Sequence, residues 1–258
     1  MKKEIDKLRD DKNYYGEEGK KYLSNSDIKS LLYAPKQFRV PVKETIEMVL
    51  GRYIHQRLLE PDKAVNFPVY EGKIRKGAEY EKFLEENEIK LALKTSDVEQ
   101  VDEMLDYLTS NIHFYDLVNN GITEEPMIKE IKGYLWKGKA DILKTVKTDD
   151  GDTDMVIDIK TCADVHRWPI SALNYFYDTQ AYIYSQLFDR PVMCVVIEKN
   201  QKEYYDGEKY WDWATYIPTE ETLQKAEAKV VKALTMYEKF FKDQAENDIK
   251  NFNYQGTF

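Results

Sequence analysis

An α/β fold, with a mixed central sheet containing an antiparallel hairpin and helices flanking it, is predicted by three features of the sequence. Apolar residues recur at helical spacing before Gly121. After it they alternate or run in short β-branched blocks bounded by turn residues, and a long charged helical segment closes the chain. With 258 residues, 42% of them hydrophobic, the chain can close a sizeable core. Eleven Gly and eight Pro are too few for a low-complexity composition, and no run approaches the roughly 20 apolar residues of a membrane span. No membrane partner is expected. The opening MKKEIDKLRDDKNYYGEEGKKYL is charged throughout and lacks the apolar stretch of a secretory signal, so a cytoplasmic location is expected.

The elements follow in order. Residues 1–22 show no apolar period and read as a mobile arm, ahead of a single domain over 23–258: a helical part (23–120), a sheet core (121–218) and a C-terminal helix (219–258). Ser26 is placed as the N-cap of a short helix carrying Ile28, Leu31 and Leu32, which Pro35 helps to end. KETIEMVLGRYIHQRLLEPDK carries a 3.6-residue apolar stripe that Pro61 stops, and helical patterns continue over 79–93 and 97–118. Strands are predicted near 127–134, 135–146 and 155–161, with KTDDGDTD as the turn between the last two. An aromatic helix around YFYDTQAYIYSQLF, a buried strand in RPVMCVVIEKN, a Tyr/Trp-rich strand or hairpin and a helix from Thr219 to about Asp248 complete the chain.

Chemistry is concentrated in MVIDIKT. Asp158 and Lys160 stand two apart on a strand and point to one face, while Val156, Ile157 and Ile159 supply packing. Asp27-Ile28-Lys29 and Asp248-Ile249-Lys250 spell the same triplet, but only Asp158 follows an apolar strand, where a charged pair needs a ligand or partner to offset desolvation. A hairpin turning about Asp150–Gly151 places Asp141 of GKADIL opposite Lys160 and one diagonal from Asp158, all on one face. A slip of one residue would send Asp141 to the other face. The plain alternative for each acid is a solvated strand residue. Two carboxylates beside a lysine suit Mg²⁺, which polarises a phosphodiester and acidifies water, with the lysine favouring the deprotonated nucleophile. Two cysteines exclude a four-thiolate metal site, so a metal must rest on oxygen ligands and on His55, His113 or His166.

Asp141 followed by Asp158-Ile159-Lys160 resembles the core of the PD-(D/E)xK nuclease superfamily, with Ala140 in the place of its proline. Gly51 and His55 in GRYIH match the GxxxH helix of the RecB-like branch, and Gln180 and Tyr184 in QAYIY match its QxxxY helix. The order of these motifs, with YLSNSDIKSLLYAPKQF before them, is similar to RecE-type phage and prophage exonucleases, the exonuclease VIII family. The resemblance implies a restriction-endonuclease-like core. It also implies Mg²⁺ (or Mn²⁺) on His55, Asp141, Asp158 and the main-chain carbonyl of Ile159, with Asp141, Asp158 and Lys160 catalytic. One glutamate ahead of the Asp141 strand joins the site in such proteins. Glu124, Glu125 and Glu130 compete for that place, and Glu125 is chosen, with Gln180 and Tyr184 in support.

By the same resemblance the activity is a 5′-to-3′ exonuclease on linear double-stranded DNA ends, working in a bacterial host cell as a homo-oligomeric ring with a RecT-like single-strand annealing protein. An endonuclease, a single-strand nuclease or a catalytically silent DNA-binding subunit are the alternatives. A net charge of −9 argues against DNA on average, but Lys36, Arg39 and Lys43, then Lys73, Arg75 and Lys76, then Lys132, Lys137, Lys139, Lys144 and Lys147 could form a basic face on an acidic body. Gly51, one turn before His55, is read as allowing that helix close to the sheet. The cluster Tyr204, Tyr205, Tyr210, Trp211, Trp213 and Tyr216 could stack bases or pack a sheet.

Overall fold

The computed structural model describes residues 1–148, 151–242 and 247–253. The segment read as a mobile arm is folded there. Helices α1 (Lys2–Lys7) and α2 (Asp11–Tyr15) are six and five residues long, too short to show a stripe, and tertiary contacts hold them. Leu8 and Tyr14 are buried against Ile128, and Arg9 reaches Glu125. Helix α3 (Asn25–Tyr33) begins at Ser24 rather than Ser26, because the Asp27 carboxylate accepts from the Ser24 N–H and closes a capping box. Helix α4 (Ile46–Leu59) is capped by Thr45 and stops before α5 (Pro61–Ala64).

A two-stranded parallel sheet, β1 (Val69–Tyr70) with β2 (Leu93–Lys94), brackets α6 (Ala78–Glu86). The helix predicted over 79–93 ends early, with Glu88 in the left-handed region (φ 53°). The one predicted over 97–118 divides into α7 (Thr95–Ser110) and α8 (Ile112–Val118), because the Asn111 side chain accepts from the N–H groups of His113 and Phe114 and starts a new helix.

Strands β3 (Ile122–Ile131) and β4 (Tyr134–Thr148) are joined by Lys132 and Gly133, both at positive φ, so the hairpin turns before the predicted boundary at 134. Strand β5 (Gly151–Cys162) is followed by α9 (Trp168–Asn174) and α10 (Tyr177–Phe188), which carry the chain to β6 (Val192–Glu198), parallel to β5. A small hairpin of β7 (Lys202–Glu203) and β8 (Lys209–Tyr210) precedes β9 (Trp213–Tyr216) and α11 (Glu220–Phe240), which ends well short of Asp248. The main sheet runs β3-β4-β5-β6-β9 and is antiparallel except at β5/β6, as the α/β class predicts.

Each sheet face has its own core. Tyr53 and Ile54 of α4, Leu105 and Leu108 of α7 and Phe114 of α8 cover one, against Ile142, Ile157 and Ile159. On the other, Leu31 of α3, Ile183 and Leu187 of α10 and Val230 of α11 cover Trp136, Ala140 and Val156. Most of the Tyr/Trp cluster is packing. Trp211 is buried against Tyr107, Trp213 meets Phe114 edge-on, and Tyr204 stacks on Tyr210.

Ala140 and Ile142 have the same parity in β4 yet face opposite cores. Strand alternation therefore breaks between them, at Asp141. Pairing of β4 with β5 runs from Thr148 with Gly151 to Ile142 with Ile157 and stops there. The predicted turn residue Asp150 lies outside the described residues. The observed register differs by two residues from the one predicted, bringing Asp141 level with Asp158 rather than Lys160. An even shift keeps the side-chain face of β5, so Asp158 and Lys160 still project together toward α10.

Two glycines separate close packing from open space. A Cβ on Gly138 of β4 would lie 2.6 Å from Leu187 and 2.8 Å from Tyr184, both buried, whereas one on Gly51 would meet only the Thr161 hydroxyl at 3.9 Å. The close approach read for Gly51 is thus found at Gly138. Gly138→Ala is expected to cost about 1–3 kcal/mol by overpacking. Gly51→Ala should stabilise by up to about 1 kcal/mol, as alanine replaces glycine inside a helix. Urea denaturation of the two variants should give midpoint shifts of opposite sign.

Candidate active site

Where β4 and β5 part, two side chains take over the main-chain groups of Ile159. The Asp141 carboxylate accepts from its N–H at 2.7 Å, and the His55 ring donates from Nε2 to its carbonyl at 2.8 Å. His55 comes from α4 on one face of the sheet, and its Nδ1 is 3.8 Å from Asp141 Oδ2. Glu124 completes the group, since one ligand atom from each of His55, Glu124 and Asp141 lies within 4.8 Å of the others.

Glu125, the glutamate chosen from sequence, is elsewhere. Both its oxygens take Arg9, each at 2.7 Å. Glu130 is exposed. The sequence did carry a signal for Glu124: a turn at Lys132–Gly133 sets Glu124 across from Asp141, but the strand predicted only from about 127 left Glu124 outside it.

Asp158 and Lys160 approach from the other face. Asp158 is 2% exposed; one oxygen lies 2.5 Å from Lys160 Nζ and the other accepts from Gln180 of α10 at 3.1 Å. Burial pushes the Asp158 carboxyl above the usual range, with the Asp141 charge adding to it against the pull of Lys160. Burial also opposes charge on Lys160, but Asp158 and Asp141 outweigh it and hold the ammonium above its ordinary value. Lys160 therefore serves as a fixed donor beside the acids.

Tyr184, one turn after Gln180, packs over Gly138, and burial pushes its phenol far above the usual range. Two neighbours went unnoticed in the sequence. The Tyr177 ring lies 5.1 Å from Lys160 Nζ, and the Cys194 thiol, pushed up to about 12 by burial, stands 4.0 Å from Asp158 Oδ2. Neither has a motif to announce it. His113 and His166 are exposed and take no part.

The donor set suits a hard divalent cation. It offers carboxylates, one imidazole and a main-chain carbonyl, all nitrogen or oxygen. His55 Nε2 and the Ile159 oxygen are hydrogen-bonded at 2.8 Å, and both would turn to a cation there once Nε2 gave up its proton. Glu124 reports the crowding of negative charge: burial, then Asp141, pushes its carboxyl up to about 7, against Lys139 at 3.5 Å.

The cleft over this group measures about 560 Å³ and is lined by His55, Gly51, Glu44, Glu60 and Glu124, with Asp11 and Tyr15 of the N-terminal segment as one wall. Asp11 bridges Lys139 and Lys63 there. The basic run of β3 and β4 is largely taken up by such contacts. Lys137 bonds the Tyr14 carbonyl under its ring, Lys144 the carbonyls of Asp116 and Asn119, and Lys132 pairs with Glu227.

A family model described as a PDDEXK-like domain of unknown function, DUF3799, matches residues 24–248. The chain belongs to this family. Its fold agrees with that of a candidate exonuclease from Eubacterium rectale, at 16% identity and a TM-score of 0.57 over 88% of this chain and 85% of the other. A phage related exonuclease from Haemophilus somnus 129PT aligns at 13% identity and a TM-score of 0.34 over 84% and 93%. No curated protein matches. This PDDEXK-like domain is thus a member of the PD-(D/E)xK nuclease superfamily. Among the described residues, no helix is long and apolar enough to cross a membrane.

Glu124 gives the site a pH signature. Its folded pKa lies above the unfolded one, so the penalty for its buried charge is full above about pH 7 and fades as the pH falls toward 4.5, on the order of 2 kcal/mol. The metal-free protein should gain stability between pH 8 and pH 5, while Mn²⁺ affinity falls over the same interval because the cation competes with a proton. Glu124→Gln should raise the pH 8 melting temperature in EDTA and flatten both trends. Calorimetry and Mn²⁺ titration at pH 5, 6.5 and 8 read these out.

Proposed function

We propose that this protein is a divalent-cation-dependent deoxyribonuclease, using Mg²⁺ with Mn²⁺ able to substitute, and that it digests linear double-stranded DNA from its ends as a 5′-to-3′ exonuclease in phage-type recombination. The observation that carries this reading is the meeting of His55, Glu124 and Asp141 within 4.8 Å beside the buried Asp158–Lys160 pair. When bound, the cation would polarise the scissile phosphodiester and acidify the attacking water. The chain's own residues do the rest. Lys160 holds the water by its ammonium and favours its deprotonated form, Asp158 fixes Lys160, and Gln180 fixes Asp158. The Ile159 carbonyl and His55 are set to face the cation together.

The polarity rests on the resemblance to RecE-type exonucleases carried by the His55, Asp141, Asp158/Lys160 and Gln180/Tyr184 motifs. Double-stranded DNA ends are the substrate in this reading, a RecT-like annealing protein receives the exposed 3′ strand, and the enzyme acts in the cytoplasm of a bacterial host cell. A homo-oligomeric ring is part of the proposal, because it places the acidic exterior away from DNA held in a channel. Retention of the whole donor set favours an enzyme over a silent DNA-binding subunit.

Asp158→Asn and Lys160→Ala should each cut hydrolysis of linear duplex by at least about 10²-fold, with far-ultraviolet circular dichroism unchanged. Normal activity in either variant would remove this site from the chemistry. His55→Ala should shift the Mg²⁺ requirement to higher concentration, and an unchanged titration would exclude it as a ligand. End-labelled linear DNA should be digested from its 5′ ends while closed circles survive. Cutting of the circle would assign an endonuclease instead.

A further inference from the structure

The cleft over the candidate site is lined by four acids, Asp11, Glu44, Glu60 and Glu124, and under the proposed function it must admit a phosphodiester. Among the described residues that line it, Arg52 is the one lysine or arginine. The lysines nearby are already engaged. Lys63 lies between Asp11 at 2.9 Å and Glu60 at 2.6 Å, and Lys139 bonds Asp11 and stands 3.5 Å from Glu124. A strand entering the cleft therefore meets a single cationic side chain there that faces only one acid.

Helix α4 places this residue. Arg52 stands three positions before His55, so the two side chains are neighbours on the helix surface, about 5–6 Å apart at Cβ. Gly51 beside them carries no side chain, and a Cβ built there would meet one atom within 4 Å, the Thr161 hydroxyl at 3.9 Å. The helix is bare at that point. A second groove, of about 550 Å³, adjoins the cleft along α4 and shares Glu44, Met48, Arg52 and Gln56 with it, so Arg52 stands where the two meet. The guanidinium is held by Glu44, on the segment leading into α4, and half of the Arg52 side chain is exposed. An ion pair so open to solvent is weak, and a phosphodiester brings the same charge with oxygens that suit the guanidinium fork.

We propose that Arg52 binds a backbone phosphate of the substrate strand next to the scissile one, and that Glu44 occupies the guanidinium until the strand displaces it. The inference rests on the nuclease reading for the identity of the strand, and it adds which side chain holds that strand beside the cation site. Arg52 then supplies affinity, while Glu44 competes with the phosphate for the same donors.

The test is a double-mutant cycle on Arg52 and Glu44, read by anisotropy as the affinity for a dye-labelled linear duplex in Ca²⁺ buffer, between about 50 and 200 mM salt. Arg52→Ala should weaken binding by roughly 10-fold and reduce the slope of log affinity against log salt by about 0.9, the loss of one phosphate contact. Arg52→Lys keeps the charge without the fork, so it should retain the slope and recover only part of the affinity. Glu44→Gln should tighten binding several-fold in the wild-type background and by clearly less in the Arg52→Ala background. An unchanged slope in Arg52→Ala would overturn the proposal. So would an equal gain from Glu44→Gln in both backgrounds, which assigns its effect to net charge alone. Circular dichroism should be the same throughout, since alanine suits an exposed helical position. If Arg52→Ala does not fold, the same comparison in the Arg52→Lys background decides, an equal gain there again overturning the contact. Transfer of the samples to Mg²⁺ separates the two readings. Hydrolysis without coupling between Arg52 and Glu44 removes the phosphate contact alone, coupling without hydrolysis keeps the contact and removes the nuclease, and failure of the wild-type protein to bind or digest the duplex removes both.

Discussion

The structure depends on how one buried residue, Ile159, satisfies its main chain. Because β4 stops pairing with β5 at Ile142, the N–H and C=O of Ile159 lose their strand partners at a position with no access to solvent. Unpaired backbone groups at such depth are costly, about 1–3 kcal/mol each, so they must be met by side chains. Asp141 meets the N–H and His55 meets the C=O. The same two contacts bring a carboxylate from one strand and an imidazole from a helix to one point, so the repair of the ladder also gathers the candidate cation ligands.

Much of this was readable in the sequence because it follows from strand parity. Asp158 and Lys160 share a face in any register, and an error of two residues in the hairpin left that conclusion untouched. Parity also explains what was missed. Asp141 occupies a break in alternation, and nothing in GKADIL distinguishes such a break from a regular strand. Glu124 lost to Glu125 because the first strand was predicted only from about 127, which left both glutamates outside it and without a register against Asp141. Helices α1 and α2 left no trace in the apolar pattern, being held by Leu8, Tyr14 and ion pairs from distant strands.

Charge followed a similar course. The lysine run of β3 and β4 looked like a nucleic-acid face, yet Lys139 is buried between Asp11 and Glu124, and Lys137 lies beneath Tyr14. Burial pushes the Lys137 ammonium down to about 8. These cations serve the fold. Lys36 and Lys43 remain exposed, and Lys43 directly precedes Glu44, which helps to line the cleft. A one-dimensional cluster of like charge thus says little about field until its acidic neighbours in space are known.

The N-terminal wall of the cleft has a temporal consequence. Asp11 and Tyr15 are joined to the site through Lys139 and Glu124, more than a hundred positions later in the chain. During translation α1 and α2 leave the ribosome with no surface to rest on until β3 and β4 have followed them out. A nascent polypeptide therefore carries the clustered acids and their enclosing wall as separate, unassembled pieces until β4 and β5 have followed.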